Sequence, residues 1–268
     1  MKNDLITSRT NPKIKQVRAL QNRKERESAR LFVVEGIRHV GDAVAANADL
    51  AFICYAPDLL ISDFALNLIQ QQTQHGVPCY PVSADVFESL ASREGPQGIL
   101  AVVHQPQNTL MDLDPINFGW GVALVAPQDP GNVGTILRTI NAVGASGLLL
   151  LESGTDAYHP TAIRASMGAS FWHPIVQTSF SNFAAWAHQH NYHIMGTSAH
   201  GSVDYRTIPH YPKPLILLMG SEREGLTSEQ IAICHQLVRL PMVGQVSSLN
   251  LSVATGVMLY SMFEKLGS

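Results

Sequence analysis

Three short polar clusters, each containing glycine or following an apolar run, hold most of the residues in this chain that could do chemistry. The first is Gln128-Asp129-Pro130-Gly131-Asn132-Val133-Gly134, with Arg138 six residues beyond Asn132. Pro130 and Gly131 suit a turn, Asn132 can cap the helix that follows, and Gly134 lets another backbone approach. Arg138, on the second turn of that helix, is expected to point towards the same pocket; a capped helix with a surface arginine is the plainer alternative. The second cluster is Gly220-Ser221-Glu222-Arg223-Glu224-Gly225-Leu226. Its glycines resemble half of a phosphate-binding loop, but the Lys-Ser/Thr ending that reaches phosphates and magnesium is missing, which disfavours a nucleotide triphosphatase. Glu222 at a strand end could bind a hydroxyl or an amine, and a simple turn is the alternative. The third is Leu240-Pro241-Met242 followed by Gln245-Val246-Ser247-Ser248-Leu249-Asn250-Leu251-Ser252. Its serines and asparagine supply neutral donors and acceptors ahead of a long apolar helix. Serine nucleophile chemistry lacks its Gly-x-Ser-x-Gly elbow here.

Other chemistries find less support. His188, His190 and His193 crowd together, but no carboxylate completes a helical metal pair, so a solvated cluster is expected and no metal site is assigned. No Gly-x-Gly-x-x-Gly follows a strand, which leaves a dinucleotide site unsupported. Cys54, Cys79 and Cys234 are widely spaced and odd in number, and this favours free thiols and a cytoplasmic setting over a disulfide framework. No apolar run approaches the ~20 residues of a membrane span, and the start of the chain lacks a signal-like apolar stretch.

The net charge of −3 hides an asymmetry: residues 1–38 hold ten of the eighteen basic side chains (Lys2, Arg9, Lys13, Lys15, Arg18, Arg23, Lys24, Arg26, Arg30 and Arg38) against four acids. That segment carries +6 and the remainder −9. Segregated positive charge suits a phosphate backbone, which binds by releasing counterions; a solvated basic helix face is the alternative.

The elements that must position these clusters follow from periodicity. In the first half, a helix is expected over 11–30, strands near 31–34, 51–55, 77–82 and 99–103, and helices near 38–46 and 64–74. This alternation predicts a small α/β domain over 1–105. Residues 106–117 carry two prolines and no periodicity, and read as a linker. In 118–268, near-continuous apolar strands at 122–126, 147–151, 192–197, 214–219 and 237–241 alternate with helices at 133–143, 161–169, 180–188, 227–234 and 249–263. Such strands imply a parallel sheet buried on both faces, with its ligand site at the strand ends.

The three clusters, in this order, resemble the SpoU (TrmH-like) branch of the SPOUT RNA 2′-O-ribose methyltransferases. DPGNVGTILRTINAVGASGLLLL is similar to that family's first motif, LILLMGSEREGL to its second and LVRLPMVGQVSSLNLSVATGVMLY to its third. NPKIKQVRAL, FVVEGIRHV and GPQGILAVV are similar, less specifically, to the family's L30e-like substrate-binding domain. The resemblance implies an α/β chain with a trefoil-knotted, parallel-sheet C-terminal domain and a homodimer whose sites are completed across the interface. It implies S-adenosylmethionine as cofactor, surrounded by Thr197, Ser198, Gly220, Leu240, Met242, Leu249 and Asn250. Arg138, Asn132, Glu222, Ser248 and Asn250 are the implied catalytic group. Arg223 departs from the small residue many relatives have there, and Asn141 stands where a small or acidic residue is common. The implied substrate is structured RNA, ribosomal before transfer RNA. Methylation at a base atom, a binding or assembly protein that keeps the fold, and a small-molecule hydrolase are the competing readings.

Overall fold

Short apolar runs bounded by turn residues become strands throughout the computed structural model, which describes residues 4–92 and 94–266. Lys2, counted above among the basic side chains, lies outside the described residues. The chain divides into two compact units: one runs up to Pro106 and takes in Tyr158–Arg164, and the other comprises Gln107–Ala157 and the residues from Ala165 onward.

In the first unit, α1 (Pro12–Ala19), α2 (Arg23–Ala29), β1 (Leu31–Glu35), α3 (Ile37–Ala45), β2 (Leu50–Tyr55), α4 (Asp63–Gln74), β3 (Cys79–Pro81), α5 (Ala84–Glu88) and β4 (Ile99–His104) follow in order. The four strands form one sheet in the order β1-β4-β2-β3, with β4 antiparallel to both neighbours and β3 parallel to β2. Ile14, Val17 and Leu20 pack into a core with Val33, Phe52 and Val102. The continuous helix expected over 11–30 is instead two helices. Asn22 accepts from Lys24 N and starts α2 afresh, and Arg30 ends it with a left-handed φ of 54°. Arg26 is 1% exposed, and its Nη1 donates to Leu20 O and Gln21 O at 2.8 Å each, so it ties the end of α1 to α2. One of the ten basic side chains therefore serves the fold and not a phosphate.

The second unit contains β5 (Trp120–Val125), α6 (Pro130–Val143), β6 (Leu148–Leu151), the end of α7 (Pro160–Ser166), β7 (Ile175–Thr178), α8 (Phe180–Gln189), β8 (His193–Thr197), β9 (Val203–Asp204), β10 (Leu215–Met219), α9 (Ser228–Ala232), β11 (Gln236–Arg239) and α10 (Leu251–Lys265). Seven strands pair in parallel in the order β7-β6-β5-β10-β8-β11-β9. Both faces are buried, as continuous apolar strands require. Along β5, Val122 and Leu124 face a core shared with α6 and α10, while Ala123 and Val125 face one shared with Phe180, Phe183 and Trp186 of α8. The edge strands β7 and β9 escape the sequence reading because four and two residues, half of them outside the core, give too little alternation.

β10 lies between β5 and β8 although it follows both in sequence. Register places Met219 beside Leu124, Leu218 beside Gly196 and Val238 beside Thr197. The loops leaving these four strands therefore emerge side by side. No described helix is long and apolar enough to cross a membrane.

Candidate active site

Pro130 at the start of α6 supplies a ready-made helical φ, and the residue before it becomes the cap. Asp129 takes that role: its Oδ1 accepts from Gly131 N at 2.7 Å. Asn132 is therefore not the cap expected from the sequence. It sits inside the first turn, 8% exposed, with its amide free to bond away from the helix.

That amide joins two loops that lie far off in sequence. Asn132 Nδ2 donates to Glu222 Oε1 at 2.8 Å, and Asn132 Oδ1 accepts from Asn250 Nδ2 at 3.0 Å. The other Glu222 oxygen accepts from the backbone N–H of Gln128 at 2.7 Å. Asn250 caps α10, its Oδ1 accepting from Ser252 N, Ser252 Oγ and Val253 N. The amide orientations of Asn132 and Asn250 are fixed: a carboxylate only accepts, so Asn132 must turn its nitrogen to Glu222 and its oxygen to Asn250. Aligned bonds of this kind polarise one another in the same sense.

Local backbone geometry presents the groups. Ala126, at the end of β5, holds φ 43°, a left-handed conformation that turns the chain towards Gln128. After β10, Ser221 and Gly225 exchange backbone hydrogen bonds at 3.0 Å in both directions, leaving Glu222 on the tip of a tight turn. A Cβ on Gly220 would lie 2.2 Å from Gly225 C, so the turn closes over bare backbone there.

The residues implied for cofactor contact gather at the same edge. Thr197 ends β8, and its Oγ1 donates to Met219 Sδ at 3.3 Å; Ser198 N donates to Val238 O at 2.9 Å. Gly220 follows β10 directly, and Leu240 follows β11 and packs against the core. Met242 is half-buried, Leu249 is 42% exposed, and Ser248 is exposed in the loop before α10, without a hydrogen bond among the described residues.

Arg138 stands apart. It is exposed, and neither a hydrogen bond nor an ion pair joins it to Asn132, Glu222 or Asn250. Six helical residues turn through about 240° beyond a full turn, so Arg138 leaves α6 on a different side from Asn132. The structure thus does not join Arg138 directly to the polar groups around Asn132. Beside it, Thr135 and Thr139 line a groove of about 730 Å³ with Ser252, Val253, Gly256 and Tyr260 of α10.

Two participants lay outside the sequence reading. The Gln128 backbone N–H has no side-chain signature. Asp129 has a signal in the sequence, its place immediately before Pro130, that favours it over Asn132 as the cap. The expected solvated histidine cluster also changes: the His193 ring lies 4.7 Å from His235, and burial, then His235, lowers its basicity. No group of three or more His, Cys, Asp or Glu side chains among the described residues is arranged to hold a metal ion.

Residues 120–260 match the model of the SpoU rRNA Methylase family, and residues 11–101 match the MRM3-like substrate binding domain. The chain is 28% identical over 255 residues to the 23S rRNA (guanosine(2553)-2′-O)-methyltransferase RlmP of Bacillus subtilis, covering 95% of this chain and 97% of the relative. It is 31% identical to the 23S rRNA (uridine(2479)-2′-O)-methyltransferase of Streptomyces viridochromogenes, covering 95% and 90%. Among solved structures, an AdoMet-bound rRNA methyltransferase from Sinorhizobium meliloti superposes with a TM-score of 0.88 at 35% identity, covering 96% of each chain.

Proposed function

The chain belongs to the SpoU rRNA methylase family, and from that premise and the geometry above we propose that it methylates the ribose 2′-hydroxyl of a nucleotide in ribosomal RNA, with S-adenosylmethionine as donor. The observation that carries this reading is the unbroken hydrogen-bond chain from Gln128 N–H through Glu222 and Asn132 to Asn250. It joins the loops after β5 and β10 and before α10 at one sheet edge, where an open α/β sheet binds its ligand. Ribosomal RNA is preferred to transfer RNA because two relatives matched over most of their length are named for 23S rRNA.

The residues fit the donor. Leu240, Met242 and Leu249 offer apolar surface suited to an adenine, and the exposed Glu222 carboxylate suits a nearby positive charge. When bound, S-adenosylmethionine supplies an electrophilic methyl group on a cationic sulfur. The chain's own task is alignment of the hydroxyl and care of its proton. Asn132 and Asn250, locked by their neighbours, orient the hydroxyl. A guanidinium holds its protons tightly and makes a poor base, so Arg138 is not assigned that part. Its role here is to bind a phosphate and stabilise the alkoxide that develops as the hydroxyl proton passes to water.

Because Arg138 leaves α6 away from Asn132, the reading assigns it to the site of a second copy. Val253, Tyr260 and Phe263 of α10 are each about half exposed, which supports a homodimer built on that helix. Threading of the last segment through a loop, the knot expected from the resemblance, also belongs to this reading; the insertion of β10 between β5 and β8 supports it.

Arg138→Ala should abolish methyl transfer to ribosomal RNA, by about 100-fold or more, while cofactor binding by calorimetry stays near the starting level. Dimers mixed from Arg138→Ala and Asn132→Ala subunits should then recover activity, since each mixed dimer rebuilds one complete site. Mixed dimers as inactive as either parent would refute the assignment across the interface.

A further inference from the structure

We infer that the groove between α3 and α4 of the first unit is a pocket for an unstacked guanine base of the RNA substrate, an inference that rests on the RNA-acting reading above. The cavity measures about 520 Å³, and Arg38, Gly41, Asp42, Phe64 and Gln97 are among its lining residues. This falls within the roughly 300–1,000 Å³ of small-ligand sites.

The groove is built by two glycines. A Cβ on Gly41 would lie 3.2 Å from the far edge of the Phe64 ring, so the bare backbone lets that ring approach α3 closely while Phe64 remains 60% exposed. Gly36, with φ 101°, opens α3 without a side-chain cap, and Gln97 supplies one: its Oε1 accepts from Ile37 N at 2.9 Å. Since that oxygen is committed to a backbone donor, the Gln97 amide nitrogen faces away from it, with no partner among the described residues. A Cβ on Gly36 would come to 3.1 Å of the same Gln97 oxygen.

Polar groups of both kinds accompany the ring. Asp42 Oδ2 is buried without a hydrogen-bond partner among the described residues, and Arg38 Nε lies 4.0 Å from it. The Arg38 side chain is 69% exposed. Such a loose i,i+4 pair is worth little, and the Asp42 side chain, 32% exposed, lines the groove with the part of its carboxylate that is not buried. A protein reads single-stranded RNA by stacking splayed bases on aromatic rings and bonding their edges. Guanine presents neighbouring N–H donors, which a carboxylate accepts, beside O6 and N7 acceptors, which arginine and the Gln97 amide can meet. Uracil and adenine offer only part of that pattern.

The test is binding of the full-length protein to short uridine runs carrying one central guanosine, adenosine, cytidine or uridine. The guanosine run should bind about tenfold more tightly than uridine alone, and Phe64→Ala should lose about tenfold on it while Phe64→Tyr keeps the preference. Asp42→Asn should bring guanosine down to the adenosine level. Equal affinity for all four runs, or a guanosine preference that survives Phe64→Ala and Asp42→Asn, overturns the pocket. Methyl transfer to ribosomal RNA, scored in parallel, separates the two ideas: transfer without guanosine preference removes the pocket alone, and absent transfer removes the proposed activity while the preference still judges the pocket.

Discussion

At the scale of single residues, Asn132 uses both ends of one amide, giving its N–H to Glu222 and accepting from Asn250. Asn132→Ala leaves a carboxylate oxygen and an amide without partners and should reduce methyl transfer by about 100-fold or more, the scale set by loss of an active-site polar contact. Asn132→Asp is nearly isosteric yet sets a second carboxylate against Glu222, so it should be equally inactive; transfer of labelled methyl, with circular dichroism as a folding control, checks both. The residue types of this site were legible because polar groups at the ends of apolar strands stand out. Their pairing was not, since Asn132 lies 90 residues from Glu222 and 118 from Asn250, and only the folded sheet brings them together. The reading of Asn132 as a cap failed for a local reason: Asp129, immediately before Pro130, was better placed.

At the scale of elements, Asn250 has two separable duties, capping α10 and donating to Asn132. Asn250→Asp keeps an oxygen acceptor for the cap but loses the amide donor. It should therefore melt within a degree or two of the parent while losing methyl transfer; Asn250→Ala should lose both, with about 1 kcal/mol of cap stability gone. Thermal melts set against activity distinguish these outcomes, and an active Asn250→Asp would break the link between α10 and Asn132. The longer helices and the central strands are readable from the sequence because each carries several turns or residues of consistent periodicity, whereas the five residues of α5 are too few. The break between α1 and α2 was not, because Leu20 keeps the apolar rhythm across it and the buried Arg26 looks in sequence like any solvated basic residue. The pairing order of the strands is a matter of long-range topology, which local periodicity does not carry.

At the scale of the whole molecule, stability should depend on pH through a group remote from the site. Burial, eased slightly by the Lys13 charge, pushes the Cys54 thiol from 9.0 up to about 12. The unfolded chain releases that proton first, so the contribution is complete below the unfolded value and falls away as pH rises from 9.0 through about 12. The loss in melting temperature between about pH 8 and about pH 10.5 should therefore be smaller in Cys54→Ala than in the parent; equal losses would assign the alkaline weakening to other groups. The central claim, ribose methylation of ribosomal RNA, joins both units and is tested most directly by one measurement. Labelled S-adenosylmethionine is incubated with the protein and total RNA from cells lacking it, and the RNA is digested for nucleoside analysis. The account predicts label in a 2′-O-methylated nucleoside of the ribosomal fraction, lost with Asn132→Ala. Label on a base atom, or no incorporation by a protein that binds the donor and intact ribosomal RNA, would contradict it.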